Sequence, residues 1–233
     1  MSSRELILNR IKDASKFPSE IPSVGFDFEN EIKKEIAAIT PKDNPGLWLQ
    51  FQKELEAISG EFYSFFSMDE AAEIISKLLL ELKIEKIGIS KENICNDVAI
   101  KLKEKIASLE IVSPVELNAE ERKKEFAATE AAIVHPAFAV ADIGSLVFNY
   151  DTTGTSYPHF LCDNTFVIIN ENQIIANQFE LFDKIDVEES KNMVFVTGPS
   201  RTADIEKVLV LGAHGPRRLL VIKIKNQIER GSL

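Results

Sequence analysis

The chain has 233 residues, of which 45% are hydrophobic, and a formal net charge of -10 at pH 7. This length and hydrophobic content suffice for a buried core without disulfides, so we predict one domain with a smaller helical appendage. The negative charge argues against non-specific binding to nucleic acid or to an anionic membrane, since both would repel the chain at long range.

The cysteine content limits the redox chemistry of the chain. Its two cysteines, Cys95 and Cys162, make neither a disulfide framework nor a CxxC pair that would suggest zinc. An iron–sulfur cluster normally needs four thiolates, so we predict no cofactor in this chain and expect any such cluster in a partner. No Walker loop or GxGxxG motif indicates a nucleotide site, and we predict no metal site.

The N-terminus lacks the basic and then apolar pattern of a signal peptide. No apolar run approaches the ~20 residues that are needed to cross a bilayer. We therefore expect a soluble, cytoplasmic protein without membrane insertion.

Residues 1–60 are predicted to form an N-terminal helical segment. Apolar residues at helical spacing indicate helices at 6–14 and 29–39, with a proline-containing linker at 16–28 between them. A third helix is predicted to start at Asn44, where proline follows at the first helical position. Its broad apolar stripe includes the only tryptophan, which we predict to be a core residue.

From residue 61 the pattern changes to short apolar runs that alternate with amphipathic helices. Such alternation is typical of βαβ units and a largely parallel sheet. We predict strands at 62–66, 86–89 and 109–112, and helices at 69–82, 93–107 and 116–129.

After residue 131 the strands are closely spaced, and a turn-forming run at 151–155 lies among them. This spacing predicts an antiparallel element. The predicted strands are 132–134, 138–141, 145–148 and 165–169, followed by a short helix at 177–185.

The last part of the chain is predicted to be a strand, a tight turn, a helix and a closing strand. An apolar run at 193–196 ends at Gly198, apolar spacing predicts a helix up to Gly212, and 219–224 is the closing strand. Ser200 or Thr202 would cap this helix. The unpaired N–H groups of its first turn would then form an anion site.

Two segments resemble a known family. Residues 197–219, TGPSRTADIEKVLVLGAHGPRRL, are similar almost letter for letter to the closing signature of the LUD-domain family, represented by lactate utilisation protein C (LutC). Residues 139–147, AVADIGSLV, are similar to a shorter family segment. The first motif is long and specific, whereas the second would mean little alone.

The resemblance implies a three-layer α/β/α sandwich of the NagB/RpiA/CoA-transferase-like type, with the LUD domain at 61–233. It also implies a LutC-like role in oxidising lactate to pyruvate, together with iron–sulfur partner subunits. In such sheets, ligands collect at the carboxyl ends of strands.

A small anionic ligand is expected at the end of the sheet that carries Ser200, Arg201 and His214. The Arg201 guanidinium offers a two-pronged donor, and the glycines around His214 allow its ring to come close. The predicted ligand-binding residues are Gly198, Ser200, Arg201, Thr202, Asp204, His214, Gly215 and Arg217.

Asp142 is the candidate catalytic residue, because CoA transferases of this fold use a carboxylate at a comparable strand end as nucleophile. The alternative is an Asx turn, in which its side chain accepts N–H bonds and sets up the bend at Gly144. The chain departs from the family pattern at Ile143 and Ser145. It also has Cys162 and its neighbours where many relatives have a histidine-containing segment, so catalysis by that histidine is not transferred.

Three functions therefore stay open: a LutC-like component of lactate oxidation, a stand-alone enzyme of the CoA-transferase-like fold, and a non-catalytic binding or assembly module.

His135 and His159 each lie beside a proline in a predicted loop, and neither has a ligand-spaced partner. We interpret both histidines as incidental.

Overall fold

The computed structural model describes residues 34–36, 38, 40–115, 117–150, 157–185, 192–203, 209–211 and 215–225. The chain divides into two compact units, Met1–Ile39 and Thr40–Leu233. In the first unit, residues 34–36 and 38 are helical, as predicted for 29–39. The helix predicted at 6–14, the linker at 16–28 and the turn at 151–155 lie outside the described residues.

The second unit alternates helices and strands along most of its length. The helices are α1 Asn44–Ala57, α2 Met68–Leu82, α3 Asn93–Lys105, α4 Ala119–Ala127, α5 Tyr157–Phe160 and α6 Gln178–Lys184, with a short 3-10 helix at Glu171–Gln173. The strands are β1 Glu61–Phe65, β2 Lys86–Ile89, β3 Glu110–Val112, β4 Ala131–Val134, β5 Phe138–Val140, β6 Ser145–Tyr150, β7 Asn164–Asn170, β8 Ile174–Ile175, β9 Asn192–Val196, β10 Arg201–Ala203, β11 Leu209–Leu211 and β12 Arg218–Ile224.

Local sequence explains where several helices begin. Pro45 stands in the first turn of α1, where its missing N–H has no intrahelical partner to lose. The Ser67 side chain accepts from Glu70 N–H, and Glu70 bonds back to Ser67 N–H, so a capping box starts α2. Asn118 and Glu121 form a second capping box at α4. The sequence offers Ser67 or Asp69 as the cap of this helix, and the structure shows that Ser67 is the cap.

A six-stranded sheet forms the centre of the second unit, in the order β1-β12-β7-β4-β2-β3. Every neighbouring pair is parallel. The predicted α/β class with a parallel sheet is confirmed.

Helices α2 and α3 cover one face of this sheet through buried residues such as Ile75 and Val98. On that face they meet alternate strand residues, including Ile133, Phe166 and Ile222. Successive residues of a strand point to opposite faces, which is why the next residue of each strand belongs to a different cluster.

The other face of the sheet is covered by α1 and by a second sheet with the order β8-β5-β6-β9. Trp48, Phe51 and Leu55 of α1 are buried there, and Trp48 is only 2% exposed, as predicted. In the second sheet β5 and β9 both pair antiparallel with β6, which confirms the predicted antiparallel element.

The helix predicted between Gly198 and Gly212 is wrong for the described residues. Arg201–Ala203 and Leu209–Leu211 are instead antiparallel strands, β10 and β11, that pair with each other. The prediction depended on three apolar residues in a short window, and such a window does not separate helix from strand. Without that helix, the proposed row of free helix N–H groups has no basis at 201–203.

None of the helices in the described parts of the chain is long and apolar enough to span a bilayer.

Candidate functional site

The two segments that carry the sequence motifs lie side by side in the fold. Strand β6, which follows Asp142, pairs with β9, which precedes Gly198, so that Leu146 stands opposite Val196. Just beyond this pair, the hydroxyls of Ser145 and Thr197 are 2.6 Å apart. A separation of about fifty residues in the chain thus becomes a direct contact.

Both motif segments also contact the C-terminal end of α1 or the residue after it, through glycines with positive φ. Gly144 has φ 59°, and a Cβ atom there would lie 2.6 Å from the backbone nitrogen of Leu55. Gly198 has φ 79°, and a Cβ atom there would lie 2.8 Å from Ile58 Cδ1. Only glycine fits positions that combine this conformation with so close an approach.

A cavity of about 390 Å³ opens beside these turns. The backbone N–H of Ser200 donates to Pro216 O at 2.7 Å, which joins the two loops that form its wall. The cavity lies near the amino ends of β1 and β12, since Ile58 precedes β1 and Pro216 precedes β12. Its lining comprises Ile58, Phe160, Phe195, Val196, Thr197, Gly198, Pro199, Ser200, Gly215 and Pro216.

Three of the eight predicted ligand-binding residues, Gly198, Ser200 and Gly215, line this cavity. Arg217 is exposed, with its Nε 3.4 Å from Asp163 Oδ1. The backbones of Arg201 and Thr202 belong to β10, while their side chains lie outside the described residues.

Asp204 and His214 lie outside the described residues altogether. The convergence of Arg201 and His214 on one ligand therefore stays a prediction. No helix begins at residues 201–203, so no helix N-terminus contributes to this site there. The Ser200 N–H is already bonded to Pro216 O.

Asp142 lies in the turn between β5 and β6, and its backbone N–H donates to Ala176 O at 3.2 Å. Its Oδ1 atom is buried and has no hydrogen-bond partner within the described part of the chain. Burial raises the pKa of this carboxyl and the Glu54 charge adds to the rise, whereas the backbone N–H groups of Asp142 and Ile143 oppose it. The Ile143 contribution is consistent with an Asx turn.

The cysteines are unsuited to nucleophilic or cluster chemistry. Burial raises the pKa of the Cys95 thiol to about 12 and that of Cys162 to about 11. The two thiols lie in different hydrophobic clusters, on opposite faces of the central sheet. Among the described residues, no group of three or more His, Cys, Asp or Glu side chains could hold a metal ion.

His135 is better placed than the sequence suggested. It follows β4 directly, at the carboxyl edge of the sheet, and lines a second cavity of about 160 Å³. Its ring Nδ1 is 2.7 Å from Ile168 O, so this nitrogen carries a proton and donates it. His135 does lie in a loop after the strand predicted at 132–134, and only the fold shows that this strand ends beside β2. The side chain of His159 lies outside the described residues.

Comparison with known proteins relates the chain to one family. The family model described as the LUD domain matches residues 49–224. "Lactate utilization protein C" of Deinococcus radiodurans is 30% identical over 98 residues, which cover 41% of this chain and 46% of that protein. The protein of the same name from Bacillus pumilus is 28% identical, over 41% and 42% respectively. The chain thus spans about half the length of these curated relatives.

A longer match extends over nearly the whole chain. An uncharacterised protein of Neisseria meningitidis serogroup B is 26% identical over 96% of this chain and 94% of its own length. Among solved structures, a DUF162 family protein from Deinococcus radiodurans superposes with a TM-score of 0.59 at 15% identity, over 79% of this chain and 99% of that one. At that identity the superposition supports the fold alone.

The Gly144 contact yields a stability prediction. We expect Gly144→Ala to lower the free energy of unfolding by about 2 kcal/mol or more, since alanine adds backbone strain and meets the α1 backbone. Urea denaturation measures this change. Gly46→Ala is the comparison variant and should cost less, because Gly46 has no positive φ and the atoms nearest to its Cβ, Asp43 Oδ1 and Pro41 Cβ, belong to side chains. Equal stabilities of the two variants would contradict the prediction.

Proposed function

We propose, from the premise that this chain belongs to the LUD-domain family, that it is a LutC-like component of lactate utilisation, the oxidation of lactate to pyruvate. The family match over residues 49–224 is the observation that supports this proposal most directly. The relatives named "Lactate utilization protein C" support it further, although each match covers less than half of this chain.

The finer fold assignment belongs to the same proposal. A parallel sheet with α2 and α3 on one face and α1 on the other is compatible with the three-layer sandwich of the NagB/RpiA/CoA-transferase-like type. The four-stranded sheet beside α1 would be an addition to this three-layer fold.

The ligand of this function would be a small 2-hydroxy acid, bound in the 390 Å³ cavity. That volume lies within the ~300–1,000 Å³ usual for small-molecule pockets. Both segments of family resemblance meet beside it, and Gly198 and Ser200 contribute to its wall. Arg201 and His214 would supply the charge that holds the carboxylate.

The ligand proposal is tested by calorimetric titration with lactate. Arg201→Lys keeps the positive charge and loses the bidentate fork, so lactate binding should weaken by about 1–3 kcal/mol. Arg122→Lys is the matched control. The Arg122 side chain on α4 donates to Pro114 O, and Arg122 does not line this cavity. Unchanged lactate affinity in a folded Arg201→Lys protein would exclude the assigned role of Arg201.

The partners in this proposal are iron–sulfur subunits, because the chain does not fit a cluster of its own. Its two cysteines are buried on opposite faces of the sheet. Elemental analysis of the purified chain should find no stoichiometric iron, and affinity purification from its source cells should retain iron–sulfur proteins. Iron bound to the isolated chain would refute the first expectation. Purification without any such protein would favour a stand-alone role.

A second candidate, a CoA-transferase-like enzyme, is favoured by the buried Oδ1 atom of Asp142, which accepts no hydrogen bond from the residues that the structure describes. The carboxylate would attack a thioester carbonyl, form an acyl anhydride on the enzyme and release the CoA thiolate. Asp142→Asn keeps much of the turn and should abolish exchange of labelled acyl groups with CoA. Asp97→Asn is the control, because Asp97 is an exposed residue of α3. Exchange that survives in folded Asp142→Asn would dismiss this candidate.

A further inference from the structure

The six-stranded sheet has a switch point between β2 and β4. From β2 the chain continues through α3 to β3 on one side, whereas from β4 it continues through the smaller sheet to β7 on the other side. Because β2 and β4 are neighbours, the connections that leave their carboxyl ends diverge and leave a crevice. Crevices of this kind are where open α/β sheets bind ligands.

The 160 Å³ cavity lies at this crevice. Glu92 reaches it from the loop after β2, and His135 from the residue after β4. Ser90 connects the two strand ends, since its hydroxyl hydrogen-bonds to Glu92 and accepts from the His135 backbone N–H at 3.3 Å. The volume is below the ~300 Å³ at which pockets for drug-sized ligands begin, so it suits a molecule of few non-hydrogen atoms.

The hydrogen-bond acceptors around the His135 ring outnumber the hydrogens that are donated to them. Its Nδ1 donates to Ile168 O, which makes Nε2 the acceptor of the neutral ring. The Gln173 side-chain nitrogen lies 2.9 Å from Pro136 O, 3.1 Å from Ala137 O and 3.1 Å from His135 Nε2. An amide group has two hydrogens for these three acceptors, and each carbonyl oxygen has two lone pairs, so acceptor capacity is left for a donor from a ligand.

The charge of the cavity is negative. Burial lowers the pKa of His135 and thus favours its neutral form. Burial also raises the pKa of Tyr150, and the Glu92 charge adds to the rise, so this phenol stays protonated. Within the described lining, the Glu92 carboxylate is then the charged group.

We propose that this cavity binds a small neutral or cationic molecule bearing hydroxyl or amine donors, which are accepted by Glu92 and by the acceptors that Gln173 leaves unsaturated beside the His135 ring. Carboxylates are excluded by the like charge of Glu92. The site is separate from the cavity assigned to the 2-hydroxy acid: one lies at the carboxyl edge of the sheet, the other near the amino ends of β1 and β12. It does not depend on the proposed function.

Three compounds with the same carbon skeleton test the proposal: 1-amino-2-propanol, propane-1,2-diol and lactate. They carry a positive, a zero and a negative charge. The readout is the NMR signal of the His135 ring in the full chain, assigned by its loss in His135→Asn, which keeps a donor for Ile168 O. We expect the amine and the diol to shift this signal, with the amine binding roughly tenfold tighter. Lactate should leave it unchanged.

Glu92→Gln separates charge from shape in this experiment. In the folded variant the preference for the amine over the diol should disappear, whereas Glu85→Gln, the same change at the opposite end of β2, should retain it. The proposal is overturned if neither the amine nor the diol shifts the His135 signal. It is equally overturned if lactate shifts it as strongly as the amine, or if Glu92→Gln keeps the preference.

Discussion

A parallel sheet that is apolar on both faces needs other elements packed on each face, and this constraint determines the arrangement of the chain. Two helices, α2 and α3, suffice for one face. The other face is closed by α1 together with a second sheet, so the chain leaves the central sheet twice, between β4 and β7 and again between β7 and β12. The smaller cavity lies where the first excursion begins, and the larger one lies where the loop before β12 meets the end of β9.

Features with a local cause were predictable from the sequence. The capping box at Ser67 and the proline in the first turn of α1 act within a few residues, and both are present. Buried strands such as β2 were also predictable, because continuous apolar runs of that length suit a sheet covered on both faces. The hairpin of β10 and β11 was not, since its hydrogen bonds join strands whose pairing no local spacing reveals.

The candidate sites show the same difference between features with a local cause and features formed by residues distant in sequence. The motif residues Gly198, Ser200 and Gly215 were identifiable by resemblance, and they do line one cavity. The contact of Ile58 with Gly198 was not identifiable, because Ile58 follows α1 and lies far away in sequence. The position of His135 was not predictable for a related reason: only the strand order brings its loop to the same cavity as Glu92.

The end of α1 contacts two turns, since Gly144 lies against the helix backbone at Leu55 and Gly198 lies against the side chain of Ile58, the residue after the helix. At Gly144 the neighbour is backbone, which cannot give way, whereas at Gly198 it is the flexible end of the Ile58 side chain. A tilt or slide of α1 would therefore displace the turn that carries Asp142 more directly than the wall of the larger cavity.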